Sequence, residues 1–344
     1  MVQIVITRMI SSRRQRRSLG GDFTIRPFKA GDEDAINAGF NAVFGQSRSI
    51  DEWRRKFLDE SSSPRIMVCL DEAGDVVAHY GATVSAFRID GRGVAAGQIV
   101  DSYAVRRTDV VTGRAFIRTA HAFFEHFCGP GRLDIIYGFP GLRALRLGRL
   151  KLGYDHTWPV NVWHGPGSSG LATNLWRNLV DRKRDLRTDD LGQADTLWAR
   201  AHGLYSPGLI RDRKWIEQRR VGIGGKVYRI ATHFRRDLLS AWAIFEHTAA
   251  ATHIVDLLWD GESVDCLRAL LEHVAGRTID GRPSRIQLWA PTSGYLANAL
   301  RHLKWTNEIE PRGCHVGIRS FNPSIEPKLI SKGFHYAFGD SDLA

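Results

Sequence analysis

Between Ile99 and Phe127 the sequence reads IVDSYAVRRTDVVTGRAFIRTAHAFFEHF, and the residue types here could hold a phosphate. An apolar run ends in Arg106 and Arg107, a short segment follows, and a helical pattern opens around Gly113. A loop entering a helix N-terminus presents unpaired backbone amides and the positive end of the helix dipole, and both favour an anion. The candidate cradle is Val110, Val111, Thr112, Gly113, Arg114 and Ala115, with Ala104, Val105 and Arg106 at the strand end. Gly113 would let a phosphate come close to the backbone, and Arg106, Arg107 and Arg114 would add charge. The plainer alternative stays open: the glycine relieves a tight corner and the arginines are solvated.

Around this stretch the elements can be read from pattern. FTIRPFKAGDEDAINAGFNAVFG gives a strand, a turn and a helix opened by acids. RIMVCLDEAGDVVAHYGATVSAFRIDGRGVAAGQIVDSYAV gives three or four strands with turns at EAGD and DGRG. TGRAFIRTAHAFFEHF puts Phe116, Ala120, Phe123, Phe124 and Phe127 on one helical face. LDIIYGF is a short apolar strand suited to the middle of a sheet. The expected fold class is α/β of mixed character: a largely antiparallel sheet flanked by helices, occurring twice.

The duplication rests on four matches in the same order. Asp34 pairs with Asp195, Trp53 with Trp215, IVDSYAV at 99 with IVDLLWD at 254, and FPGLRALRLGRLKLGY at 139 with APTSGYLANALRHLKW at 290. The offsets of 161, 162, 155 and 151 residues are of domain size and drift only slightly, which points to two copies of one unit with small deletions in the second. The expected boundaries are a basic tail over 1–22, a first domain over 23–165, a linker helix over 166–188 and a second domain over 189–344.

A chain of 344 residues fits two such domains. The net charge of +11 is partly local, because residues 1–22 carry Arg8, Arg13, Arg14, Arg16 and Arg17 against Asp22 alone. The rest is spread along the chain without base-reading motifs, so nucleic acid is an unlikely partner and a small polyanion suits the charge as well. No apolar run reaches the roughly 18 residues of a membrane span, and a cytoplasmic location is expected. The four cysteines form no CxxC pair and the histidines show no ligand spacing, so no metal is expected.

Val105 to Ala115, VRRTDVVTGRA, resembles the acetyl-CoA signature of the GNAT superfamily of N-acetyltransferases, whose Q/R-x-x-G-x-G/A loop starts five residues after a strand-terminal Val. Here that start is Val110, where the family has Gln or Arg, while Gly113 and Ala115 keep the pattern. YGFPGLRALRLGRLKLGY resembles a later block of the family, with Gly141, Ala144 and Arg149 replacing its usual Asn, Ser and Tyr. The resemblance covers residues 23 to 344 as two such domains. It implies acetyl-CoA as co-substrate, bound by the first copy through Ala104, Val105, Arg106, Val110, Val111, Thr112, Gly113, Arg114 and Ala115. It also implies acetyl transfer to a primary amine of a small molecule, such as an amino sugar or amino acid derivative. The acceptor would lie between the copies, and a homodimer is possible. The resemblance implies a carboxylate base, for which Asp101 is the candidate, and a Tyr acid. Arg149 holds the family's Tyr position, so Tyr154 is taken as the acid beside Tyr103 and Tyr137, with a core aromatic as the competing reading of each. A structural carboxylate is the competing reading of Asp101, since Asp256 repeats it where Glu262 and Asp265 would repel a pyrophosphate. Catalytic degeneracy and a nucleic-acid role for the basic tail are the alternatives.

Overall fold

The computed structural model describes residues 23–58, 64–105, 111–154, 156–165, 186–222, 225–275, 285–326, 329–330 and 334–343. The basic tail, residues 106–110 and the expected linker helix up to residue 185 lie outside them. Contacts divide the chain into two units. The first takes the described residues within Met1–Ser85, Val94–Trp158 and Cys314–Pro327; the second takes those within Ala86–Gly93, Pro159–Gly313 and Lys328–Ala344.

The first run of elements is β1 (Thr24–Pro27), α1 (Glu33–Phe44), α2 (Ile50–Phe57), β2 (Arg65–Leu70), β3 (Val76–Ile89), β4 (Arg92–Ala104), α3 (Val111–Phe127), β5 (Ile135–Gly138), α4 (Leu142–Lys151) and β6 (His156–Pro159). Local sequence explains the ends. Gly45 takes a left-handed φ of 63° and stops α1. Ser49 and Glu52 form a capping box that starts α2. Asp90 and Gly91 both have positive φ, the two-residue turn that matches strand twist, and close β3 onto β4.

The second run begins with β7 (Asn161–His164) and continues with β8 (Leu186–Thr188), α5 (Ala194–Ala201), β9 (Gly208–Leu209), α6 (Arg213–Arg219), β10 (Arg229–Arg235), β11 (Leu238–His247), β12 (Ala251–Trp259), α7 (Val264–Ala275), β13 (Arg285–Trp289), α8 (Tyr295–His302), β14 (Thr306–Ile309) and β15 (His315–Ser320). Asp195 lies in α5, Trp215 in α6 and Asp256 in β12. The residues matched in sequence therefore occupy corresponding places in the two runs.

Both sheets are mixed. The first has the order β1-β2-β3-β4-β5-β15-β6, and the second β14-β7-β13-β12-β11-β10-β8. In each, one parallel pair follows the antiparallel strands: β4 with β5, and β12 with β13. The first sheet is covered on both faces, as successive residues of β4 show. Ile99 joins the cluster of the α3 phenylalanines, Met67 and Ile136, while Val100 joins Ile36, Trp53, Phe57 and Val68. The single apolar face expected for α3 is the face it buries.

The division is not linear in sequence. β15 lies between β5 and β6, and β7 lies between β13 and β14. Only Val160 separates β6 from β7. One residue cannot reverse the chain into a hairpin, so β7 pairs elsewhere. A boundary drawn at residue 165 does not separate two closed sheets.

Candidate functional site

β4 and β5 pair only over Ala96–Gln98 and Ile135–Tyr137. β4 then runs on to Ala104, while β5 ends at Gly138. Where the pairing stops a cleft opens, enclosing about 360 Å³ of space that is in part open to solvent. Ile99 and Ser102 of β4, Tyr80 of β3, Phe116 of α3, Gly138, Pro140, Ala144 of α4, Leu152 and Tyr154 line it. A Cβ on Gly138 would stand 3.4 Å from the Ile99 carbonyl oxygen, so glycine keeps this wall bare.

The cleft is apolar apart from hydroxyls. Those of Tyr80 and Tyr154 are 2.8 Å apart and buried. Burial drives the Tyr154 phenol up to about 12, although its bond with Tyr80 pulls the other way. Burial, then Tyr154, also raises Tyr80 well above the ordinary tyrosine range. Both are protonated at neutral pH. The Tyr154 ring lies on Gly148 of α4, where a Cβ would come within 2.3 Å of it.

Asp101 sits at a kink in β4, with φ of 50°. The kink acts as a bulge. Regular alternation would put Ile99 and Asp101 on one face. Instead Ile99 and Ser102 line the cleft, and Asp101 turns toward α2. One carboxylate oxygen accepts from Arg48, and the other accepts from Lys56 Nζ at 2.7 Å. Its main-chain carbonyl lies 2.8 Å from His79 Nδ1. Burial holds His79 at about 4, so the ring is neutral and Nδ1–H donates to that carbonyl. Burial pushes the Asp101 carboxyl up, but Lys56 and Arg48 together outweigh it and hold it at about 2. A carboxylate with both oxygens engaged and so low a pKa is a weak proton acceptor. It is well placed to fix α2 against the kink.

The expected cradle is divided between two kinds of residue. Arg106 and Val110 lie outside the described residues, as do the side chains of Val111 and Thr112. Val105 donates its amide to the Val77 carbonyl at 2.9 Å, so that donor is already used. Ala104 and Ala115 pack against the small cluster of Cys69, Val77 and Ala78, and Ala115 is buried. Gly113 and Arg114 are exposed. A Cβ on Gly113 would meet nothing within 4 Å, so the protein's own packing gives no reason for glycine there. The first turn of α3 has no acid.

In the second unit the corresponding carboxylate is also tied to an arginine. Arg211 Nε lies 3.0 Å from both Asp256 oxygens, Arg211 Nη2 donates to Asp340 at 2.6 Å, and Trp215 Nε1 donates to Asp256 at 2.7 Å. Arg211, Asp256 and Asp340 are fully buried side chains. Burial lifts Asp340 to about 6 despite Arg211. Asp256 and His335 are among the residues that line a small cleft beside β12. The first turn of α7 carries Asp265.

The sequence reading missed Arg48, Lys56 and His79 around Asp101, and Tyr80 beside Tyr154. Arg48 follows α1 by four residues and Lys56 is one of three consecutive basic residues in α2. No spacing rule separates them from solvated neighbours. Among the described residues no group of three or more His, Cys, Asp or Glu could hold a metal ion. No helix there is long and apolar enough to cross a membrane.

No protein-family model matches the chain, and no curated protein matches it. Solved structures do. A conserved Enterococcus faecalis protein of unknown function, described as a probable N-acyltransferase, superposes with a TM-score of 0.62 at 11% identity over 88% of this chain and 73% of that one. A GCN5-related N-acetyltransferase from Anabaena variabilis gives 0.57 at 12% identity over 88% and 73%. Saccharomyces cerevisiae N-myristoyltransferase with bound myristoyl-CoA gives 0.50 at 11% identity over 91% and 87%. This chain has the fold of the GCN5-related N-acetyltransferases.

Proposed function

We propose that the chain is an acyl-CoA-dependent N-acyltransferase whose first unit binds the donor. The observation that carries this reading is the parting of β4 and β5 into an apolar cleft with two buried tyrosine hydroxyls. The shared fold with an N-acetyltransferase and with an N-myristoyltransferase bound to myristoyl-CoA supports it. Acetyl-CoA is the simplest donor. When bound, it supplies a thioester whose carbonyl carbon an amine can attack and whose sulfur departs.

The chain's own residues divide the work. The first-turn amides of α3, from Val111 to Arg114, face the pyrophosphate, and the open space before Gly113 admits it. Arg106 and Val110, the further cradle candidates from the sequence, lie outside the described residues. Ala104 and Ala115 pack strand end and helix start on one small cluster, and Val105 ties β4 to β3. Tyr154, protonated at neutral pH, would donate its hydroxyl hydrogen to the departing sulfur and regain a proton from the amine nitrogen, which loses one as the amide forms. Asp101 is a positioning residue: it fixes the kink that turns Ser102 and Ile99 into the cleft. The acceptor is a primary amine of a small molecule, such as an amino sugar or amino acid derivative. Positioning the reactants supplies much of the acceleration in such a site.

A second reading, an acyl-CoA-binding protein without catalysis, draws on the same carboxylate, since Asp101 is a weak base here. Thiol release from acetyl-CoA with a panel of primary amines separates the two. Release that depends on the amine and falls in Tyr154→Phe supports the transferase. Saturable binding with no release from any amine supports the second reading.

A further inference from the structure

We propose that the exposed face of α4 docks an acidic acyl carrier protein, so that the thioester entering the cleft can arrive on a phosphopantetheine arm. The inference rests on the acyltransferase reading and names a second donor for the same site. At 100° per residue, Leu142, Arg143, Arg146, Arg149 and Leu150 fall within an arc of about 120°. All five are exposed, the two leucines at 63% and 67%. The opposite face, Ala144, Leu145 and Gly148, is buried.

The sequence of α4, LRALRLGRLK, contains no acid, and Arg146, Arg149 and Lys151 make no ion pair among the described residues. Arginine forks match carboxylates in bidentate geometry, and the interleaved exposed leucines offer apolar area to bury. An acidic protein surface with an apolar groove fits that pattern. The place of the helix favours a carrier. Ala144 lines the cleft from the inner face of α4, and Leu152 and Tyr154 line it just beyond the helix. A partner seated on the outer face therefore stands beside the site that would receive its thioester. Coenzyme A and a carrier arm share the same pantetheine thioester.

A lipid surface fits less well. An interfacial helix separates a continuous apolar face from its basic face. In α4 the leucines and arginines share one arc, and the apolar side is already buried in the protein.

The test is fluorescence anisotropy of labelled acyl carrier protein carrying an unacylated phosphopantetheine arm. The full chain and its Arg146→Glu/Arg149→Glu variant are titrated at about 50 mM and about 300 mM salt. Both substitutions are at exposed positions, and a thermal melt checks that the variant is folded. The expected result is saturable binding that weakens about tenfold or more in the variant and again with salt, while coenzyme A affinity changes less than about twofold. No saturable carrier binding at low salt, or equal binding by the variant, overturns the proposal. Arginine-dependent binding to phosphatidylglycerol vesicles without carrier binding overturns it in favour of a membrane. Carrier binding with no coenzyme A binding counts against the coenzyme A reading alone.

Discussion

The hydroxyls of Tyr80 and Tyr154 stand 2.8 Å apart on the wall of the cleft between β4 and β5. They share the hydrogen bond but differ in surroundings. Tyr80 is ringed by Phe116, Phe123 and Phe124, while Tyr154 lies on Gly148. Removing either hydroxyl strands the other, and each of Tyr80→Phe and Tyr154→Phe should cost about 1–2 kcal/mol of stability. If Tyr154 is the proton donor, only its variant should also lose kcat, by about tenfold or more. Urea unfolding and steady-state rates on the pair check both parts. Equal rate losses would remove the assignment of Tyr154.

Asp101 separates a structural from a chemical role. Asp101→Asn leaves Arg48 and Lys56 without their buried counter-charge and should destabilise the fold by about 3 kcal/mol. A variant that kept full stability and lost only kcat would instead restore the base expected from the sequence.

The same cluster sets a pH dependence. His79 is held at about 4 when folded, against an ordinary 6.5. As pH falls from 6.5 to 4 the unfolded chain takes up a proton first, so stability should fall by about 3 kcal/mol over that window. Asp101, at about 2 when folded against 3.8, adds a loss of about 2 kcal/mol below pH 3.8, where the unfolded carboxylate is protonated first. His79→Asn keeps a donor for the Asp101 carbonyl and should flatten the first window only. Chemical denaturation between pH 7 and 3 measures both.

Much of this was legible in the sequence, and the reasons are local. The phenylalanine face of α3 and the Asp90-Gly91 turn follow from helix period and turn chemistry. The order of Trp53 and Trp215, and of Asp101 and Asp256, matched in the sequence, recurs on corresponding elements. The bulge at Asp101 was not visible. Alternation assigns Asp101 to the same face as Ile99, and only the positive φ moves it to α2. Tyr80 and Lys56 meet their partners across long stretches of sequence, so no spacing could pair Tyr80 with Tyr154 or Lys56 with Asp101.

Strand placement was also hidden, and it can be tested by cutting the chain. A fragment ending at residue 165 lacks β15, which fills the place between β5 and β6, and carries β7 without its partners. Unpaired strand edges associate with one another. The fragment should be aggregated or unfolded alone, and coexpression with 166–344 should recover soluble protein. A soluble, cooperatively melting fragment would contradict the strand order.

The central claim is that the corner before α3 holds the pyrophosphate of an acyl-CoA, and calorimetric titration of acetyl-CoA into the wild type and Gly113→Glu tests it most directly. A Cβ at exposed Gly113 would meet nothing within 4 Å, and a thermal melt checks that the variant is folded, so its effect reports on charge and access. The account predicts saturable binding to one site in the wild type and a loss of about tenfold or more in the variant. No binding by the wild type, or equal binding by both proteins, would contradict it.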